Sequence, residues 1–343
     1  MSMHNNKHDV LIVGAGIVGL TIAKRLLNIG IKSIGVLEKE KTIGVHSSGN
    51  NSGVLHAGVY YPENTLKAKF CLEGNRLMRA YCEEHGLPLN NSGKVIVAKD
   101  QGQLEGLDLI YKRAKNNGAN IKYINQGELK EIEPFARTFE KALFVSDTCV
   151  VDPKKVINFL YKELLGSKKV KFYFESEFLG VDKDTCQVRT RNESFSYGYF
   201  INCAGSYADK VAKHFGLAEN LSLIPFKGIY KKLVSSKAHL VNGNIYPVPN
   251  LQNPFLGVHF TKNIHGDVYV GPTAIPAFGR ENYGLIKGID KEAFKIALQN
   301  SILFFKNKKF RHVALSEPKK YSQHAFFNDS KKLVLGLEKS WLE

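Results

Sequence analysis

Three glycines and one acid carry the spacing that most directly implies chemistry. They stand in Gly14-Ala15-Gly16-Ile17-Val18-Gly19, directly after an apolar run at 10–13, and in Leu37-Glu38, with Ala23, Leu26 and Gly30 between. A strand, a glycine turn, a helix and a second strand ending in an acid together make a dinucleotide grip. Gly14 permits a tight turn, Gly16 lets backbone approach a pyrophosphate, and Gly19 lets the helix pack close to the sheet. Ala15, Ile17 and Val18 supply backbone at the helix start, where unpaired N–H groups and a partial positive charge favour phosphate. Glu38, followed by Lys39, lies 19 residues past Gly19 and is placed to accept from ribose hydroxyls. An acid there favours an unphosphorylated ribose, so NAD or FAD over NADP, and the motif does not choose between the two. The plain alternative is an ordinary strand–turn–helix.

The elements that must position this grip follow along the chain. The first strand–helix–strand unit covers about residues 9–40. A helix begins at Asn64 or Thr65 and ends at Gly86, with Leu66, Phe70, Leu77 and Tyr81 at helical spacing. Residues 94–98 read as a strand and 103–117 as a helix stopped by Gly118. Asp152 caps a helix with Pro153 in its first turn, and Gly166 stops it. Strands follow at 170–174, 187–190 and 197–202. The last runs into Cys203-Ala204-Gly205, a second turn of small residues beside which a cofactor can approach. Its pairing with the first motif implies a nucleotide domain that resumes after an insertion.

From residue 221 aromatic and β-branched residues alternate with turns, at 229–234, 244–248, 255–261 and 267–270. This pattern predicts an antiparallel sheet. Two helices rich in lysine and aromatics follow from Lys291. The expected fold is therefore α/β: a Rossmann-like nucleotide-binding domain interleaved with an α+β domain built on an antiparallel sheet. The expected boundaries are 1–88 and 147–217 for the first, 89–146 and 218–320 for the second, and 321–343 for a helical end.

Composition bounds the rest. The chain has 343 residues, enough for two domains, and no apolar stretch long enough to span a bilayer. The N-terminus is polar and lacks a signal-peptide core. Five scattered cysteines show neither metal nor redox spacing, so the expectation is a reducing, cytoplasmic compartment and no metal. The net charge of +16 leans toward anionic partners, but the lysines are spread along the chain. No basic block is interleaved with aromatics, so nucleic acid is not expected as a partner.

The segment 46–61, His46-Ser-Ser-Gly-Asn-Asn-Ser-Gly-Val-Leu-His56-Ala-Gly-Val-Tyr-Tyr61, followed by Leu66-Lys-Ala-Lys69, resembles the L-2-hydroxyglutarate oxidase/dehydrogenase family of the FAD-dependent D-amino-acid oxidase superfamily. The resemblance continues in Gly93-Lys-Val-Ile-Val97, Ile224-Pro-Phe-Lys-Gly228 and Ile245-Tyr-Pro-Val-Pro249, and is strongest in Pro254-Phe-Leu-Gly-Val-His-Phe-Thr261 and from Gly271-Pro272 to Arg280. It covers about residues 8–284 and implies FAD. With it, Ser47, Ser48, Asn51, Ser52 and Gly53 read as a phosphate and flavin cradle. Without it, they read as a surface loop.

The resemblance also implies oxidation of a 2-hydroxy acid, L-2-hydroxyglutarate to 2-oxoglutarate. That reaction removes a hydride from C2 and a proton from the hydroxyl, so a base is needed, and histidine suits neutral pH. Of eleven histidines, His46, His56, His259 and His265 lie in or beside these motifs. The base is expected to be His56 or His259. Lys227 and Arg280 are the expected anchors for the two carboxylates, with Tyr61 and Tyr246 completing the pocket. Electrons would pass to oxygen or to a membrane quinone pool, with peripheral contact at the inner face of the cell membrane.

In one respect the chain departs from that pattern. The superfamily's glycine-rich C-terminal return to the nucleotide domain is not visible after Gly284. The expectation drawn is a truncated product, of which a weakly active or inactive FAD-binding remnant is one reading. An oxidase of the same superfamily acting on another 2-hydroxy or 2-amino acid is another.

Overall fold

The structure, a computed structural model, describes residues 6–250, 256–284, 286–316 and 322–343. Pro254 and Phe255, which open the strongest motif and the strand expected at 255–261, lie outside these residues. The chain forms two compact units from alternating segments, Met1–Asn51 with Pro153–Pro225, and Ser52–Asp152 with Phe226–Glu343. The divisions differ from those expected. Residues 52–88 and 147–152 group with the second unit, as does the end at 321–343, and residues 218–225 group with the first.

In the first unit, four parallel strands form one side of a six-stranded sheet, with Val170–Tyr173 at its edge. Their spatial order is Ser194–Asn202, Lys7–Val13, Ile34–Leu37 and Val170–Tyr173. The Ile34–Leu37 strand is buried throughout, as a parallel strand covered on both faces must be. Two short antiparallel strands, Gln187–Arg189 and Gly180–Asp182, extend the Ser194–Asn202 edge. The helix Ile17–Asn28 buries Gly19, Leu20 and Ala23, and packs beside the helix Pro153–Gly166.

The second unit is built on a seven-stranded sheet. Its order is Phe226–Lys232, Val268–Pro276, His259–Lys262, Asn244–Pro247, Lys94–Val97, Lys141–Val145 and Ile121–Asn125. It is not wholly antiparallel. Asn244–Pro247 pairs in parallel with Lys94–Val97, at the join between the unit's two chain segments. A three-stranded antiparallel sheet, Val54–Leu55, Cys149–Val151 and Leu89–Asn90, stands apart from it in strand pairing.

Alternation sorts the large sheet's residues onto two covered faces. Val95, Val97, Ile245, Phe260, Val268 and Val270 belong to one core. Ile96, Ala98, Leu143, Val145, Tyr246 and Val248 belong to the other, under Ala57, Val59, Leu72 and the helix Leu104–Asn116. The first core also takes in Phe326, Leu333, Val334, Leu337 and Leu342. The expected helical end is thus an integral part of this unit. Among its described residues only Gln323–Ser330 is α-helical, and Leu342 bridges to Leu233.

Candidate functional site

The first unit carries the glycine turn as the sequence predicts. Gly14 has φ +105°, and a Cβ there would lie 2.2 Å from the Cys203 carbonyl oxygen. A Cβ on Gly19 would lie 2.0 Å from the Gly14 oxygen, which shows why helix and turn can close together. Gly16 ends the turn in extended conformation and caps the helix through its backbone. Ser48 Oγ accepts from the Ile17 N–H at 3.0 Å, taking one of the orphan donors of the first turn. Its own O–H remains available to donate. Asn51 Nδ2 donates to the Ser47 and Ser48 carbonyls at 3.1 and 2.9 Å, which fixes the loop rather than presenting the amide outward.

Glu38 is buried. Its Oε2 accepts from Ala15 N at 2.9 Å and its Oε1 from Glu40 N at 3.0 Å. The acid therefore stiffens the glycine turn itself, while each oxygen keeps a lone pair for a hydroxyl. Lys39 is ion-paired with Glu40 and lies 5.3 Å from the Tyr207 ring centre. His46 also contacts Glu40, at 3.0 Å, a role the sequence did not show.

These groups line a cavity of about 470 Å³. Val13, Gly14, Gly16, Glu38 and Ser48 form one part of its wall, and Cys203, Ala204, Gly205 and Tyr207 another. The second small-residue turn reaches this place because Ser194–Asn202 pairs in parallel with Lys7–Val13, and Cys203 N donates to Val13 O. Size, a helix N-terminus and a carboxylate with free lone pairs fit the adenosine diphosphate half of a dinucleotide. Ser52 and Gly53 belong to the second unit.

That unit holds a polar cluster on one face of its large sheet. Lys94, Tyr246, His259 and Thr261 alternate with the apolar residues of the opposite face, and residues 56–61 run over them. Tyr246 stacks on His259, with ring centres 3.9 Å apart and planes 19° apart. His56 meets Tyr246 edge-on at 6.0 Å. His259 Nδ1 lies 2.9 Å from the Gly257 carbonyl, which can only accept, so Nδ1 carries the proton and Nε2 the lone pair. Burial lowers both histidines, His56 to about 3 and His259 to about 4, with the positive charge of Lys94 adding to the effect. Both imidazoles are therefore neutral proton acceptors at neutral pH.

Sequence reasoning missed Lys94. It is 1% exposed, and its Nζ lies 4.6 and 5.1 Å from the ring centres of Tyr60 and Tyr246. Burial pulls it from its ordinary 10.5 down to about 7. The Lys94 Nζ, the His56 Nδ1 and the Tyr60 hydroxyl are buried without a hydrogen-bond partner among the described residues. The available signal was its place in Gly93-Lys-Val-Ile-Val97, where alternation sets it on the same face as the buried Ile96.

The expected anchors are arranged differently. Arg280 Nε donates to Glu292 Oε2 at 2.8 Å with only 8% of its side chain exposed, so its charge is already matched. Lys227 Nζ donates to Asn282 Oδ1 at 2.9 Å and to the Gly284 carbonyl, leaving one N–H. Tyr61 lies beside Lys67 rather than in the cluster's ring stack. His265 pairs with Asp152 at 3.3 Å.

Fold and cavity define a Rossmann-like nucleotide-binding protein with a second, sheet-based unit. The comparisons carry this further. The FAD dependent oxidoreductase family model (DAO) matches residues 9–313, and the chain belongs to that family. It is 38% identical over 297 residues to the human mitochondrial L-2-hydroxyglutarate dehydrogenase, covering 82% of this chain and 64% of that protein. To the L-2-hydroxyglutarate dehydrogenase of Escherichia coli K12 it is 37% identical over 280 residues, covering 80% and 66%. The chain thus spans just under two thirds of these relatives' length. Among solved structures, an L-alpha-glycerophosphate oxidase from Mycoplasma pneumoniae with FAD bound shares the fold, with TM-score 0.75, 23% identity, and coverage of 98% of this chain and 81% of that one.

Proposed function

We propose that this chain binds FAD and oxidises L-2-hydroxyglutarate to 2-oxoglutarate. The observation that carries the reading is the cavity built from the glycine turn, Glu38 and the Ala204-Gly205 turn, in a chain of this family. The substrate follows from the relatives' identity and from a polar cluster suited to an alcohol. In this reading the Ile17–Asn28 helix start and the Ser48 hydroxyl hold the pyrophosphate, and the remaining Glu38 lone pairs hold the ribose. Bound FAD supplies a two-electron acceptor for the hydride leaving C2.

The protein's own chemistry is the removal of the hydroxyl proton. The free Nε2 of His259 is one acceptor and the neutral His56 imidazole the other. Their burial keeps them unprotonated until the substrate proton arrives. Lys227 supplies its remaining N–H to a carboxylate. Arg280, balanced by Glu292, acts by holding local structure.

The reading extends to a peripheral partner. The helix Ala293–Lys306 leaves Phe294, Leu298, Ile302 and Phe305 exposed at helical spacing, next to Lys295, Lys306, Lys308, Lys309 and Arg311. An apolar stripe edged by cations suits an anionic lipid surface, from which quinone would take the electrons. No helix among the described residues is long and apolar enough to cross a membrane.

The test is flavin bleaching. The purified chain, loaded with FAD and kept anaerobic, should lose its yellow absorbance with L-2-hydroxyglutarate. The D enantiomer, glycerol 3-phosphate and L-amino acids should leave it unchanged. Bleaching by one of those compounds alone would replace the substrate, and failure to take up FAD would overturn the reading.

A further inference from the structure

We propose that the exposed face of the helix Leu66–Glu84 is a docking surface for a second copy of this chain, the two helices packing antiparallel across a two-fold axis between Asn75 and Arg76. Neither the nucleotide cavity nor the polar cluster takes part in this contact, so it holds or fails independently of the function proposed above.

The helix has two faces. Ala68, Leu72, Asn75 and Cys82 are buried against the unit. Leu66, Phe70, Gly74, Leu77 and Tyr81 follow one another at intervals of four, four, three and four residues, so they share one stripe on the opposite side. Leu66, Phe70 and Leu77 are 70, 60 and 64% exposed. Large apolar side chains in one continuous line mark a surface that meets more than water. Gly74, at the centre of the stripe, costs the helix about 1 kcal/mol relative to alanine. Nothing among the described residues demands it, since a Cβ there would meet no atom within 4 Å. A glycine on open helix surface serves where another molecule must come close.

The charges beside the stripe identify what covers it. Lys67 and Lys69 stand exposed at its start, Glu73 and Arg76 at its middle and Glu84 at its end. Turned end for end, this order is its own complement. Two antiparallel copies set Leu77 of the second copy into the space over Gly74, and Tyr81 of the second copy against Phe70. They bring Glu84 of the second copy between Lys67 and Lys69, and Glu73 of the second copy toward Arg76. Each contact recurs once by symmetry, as an isologous interface requires. Parallel copies would set lysine beside lysine and glycine against glycine, which leaves a gap. The acids also argue against lipid, because an anionic bilayer repels Glu73 and Glu84. Beside the stripe lies a groove of about 510 Å³, lined in part by Leu66, Lys69, Glu73 and Arg76, with room for the end of the incoming helix. Arg76 is steadied there by donating to the Gly118 carbonyl at 3.2 Å. A helix of 19 residues offers a contact about 28 Å long, at the small end of specific interfaces, so the dimer is expected to be weak and reversible.

The experiment is sedimentation velocity on the full chain with FAD present. The wild type should pass from monomer to dimer as its concentration rises from about 1 to 100 μM. Phe70→Ser with Leu77→Ser should leave monomer throughout that range. Gly74→Gln should weaken the dimer about tenfold and yet raise the melting temperature, because the monomer has space for the side chain and the helix gains a better former. Charge exchange tests the antiparallel order. Glu84→Lys, and separately Lys67→Glu with Lys69→Glu, should each weaken association about tenfold, since every contact is made twice. Mixing those two variants in equal amounts should restore the dimer, because the introduced lysine then meets the introduced acids. A wild type that stays monomeric, a dimer untouched by these variants, or a mixture that stays monomeric would each overturn the proposal. So would loss of the dimer with Phe294→Ser and Phe305→Ser, which should leave it intact. Helix content by circular dichroism should match the wild type in every variant. If Phe70→Ser with Leu77→Ser does not fold, the charge exchange decides alone.

Discussion

At the scale of single residues, the polar cluster sets function against stability. The fold holds Lys94 at about 7 against an ordinary 10.5, so it favours the neutral amine. The stability tied to this group is complete above pH 10.5 and is lost as pH falls toward 7. Lys94→Met should therefore raise stability by about 1–4 kcal/mol at pH 7. The gain should shrink as the pH approaches 10, read as melting temperature against pH for both proteins. The histidines run in the same direction lower on the scale. Their native values lie below the ordinary 6.5, so stability is full above 6.5 and declines as pH falls toward 4. His259→Ala should flatten that decline, hold FAD as the wild type does and lose turnover by about two orders of magnitude or more. Normal turnover in both His259→Ala and His56→Ala would rule out the imidazole base.

Elements place these residues, and here sequence and structure can be compared piece by piece. The glycine turn was legible because its geometry admits few residue types: at Gly14 and Gly19 a single methyl collides with backbone. Gly19→Ala should abolish FAD uptake and lower the melting temperature, since neither turn nor helix can retreat without opening the sheet. Ser48→Ala is milder. It removes the partner of the Ile17 N–H, with an expected cost of about 1 kcal/mol and weaker FAD binding, checked by melting and by equilibrium dialysis. The helix Leu66–Glu84, capped by Thr65 and followed by Gly86, was equally readable from its period and its stop. Lys94 was not, because a lysine opening a strand reads as a solvated end unless the neighbouring strands are known. The parallel pairing of Asn244–Pro247 with Lys94–Val97 was hidden for a related reason. Those segments are some 150 residues apart, and local alternation does not report which strand lies alongside. The chain's end looked like a detached helix because Leu333, Val334, Leu337 and Leu342 are separated by polar residues, and only the folded unit shows them buried together.

At the scale of the whole molecule, a net charge of +16 becomes informative once apolar surface is found beside it. Charge alone draws the chain toward any anionic surface, and that attraction weakens within a Debye length as salt rises. Apolar side chains alone bind neutral and anionic bilayers alike. The helix Ala293–Lys306 exposes Phe294 at 81% and Phe305 at 76% beside its lysines, which predicts both contributions acting together. The chain should sediment with vesicles containing anionic phospholipid and much less with purely zwitterionic ones. Raising salt from 50 to 300 mM should release most but not all of it. Phe294→Ser with Phe305→Ser should remove the salt-resistant fraction and leave the FAD spectrum unchanged, because neither side chain lines the nucleotide cavity. Binding wholly abolished by salt would reduce the contact to general electrostatics. Equal binding to neutral vesicles would mean that the lysines beside this helix take no part.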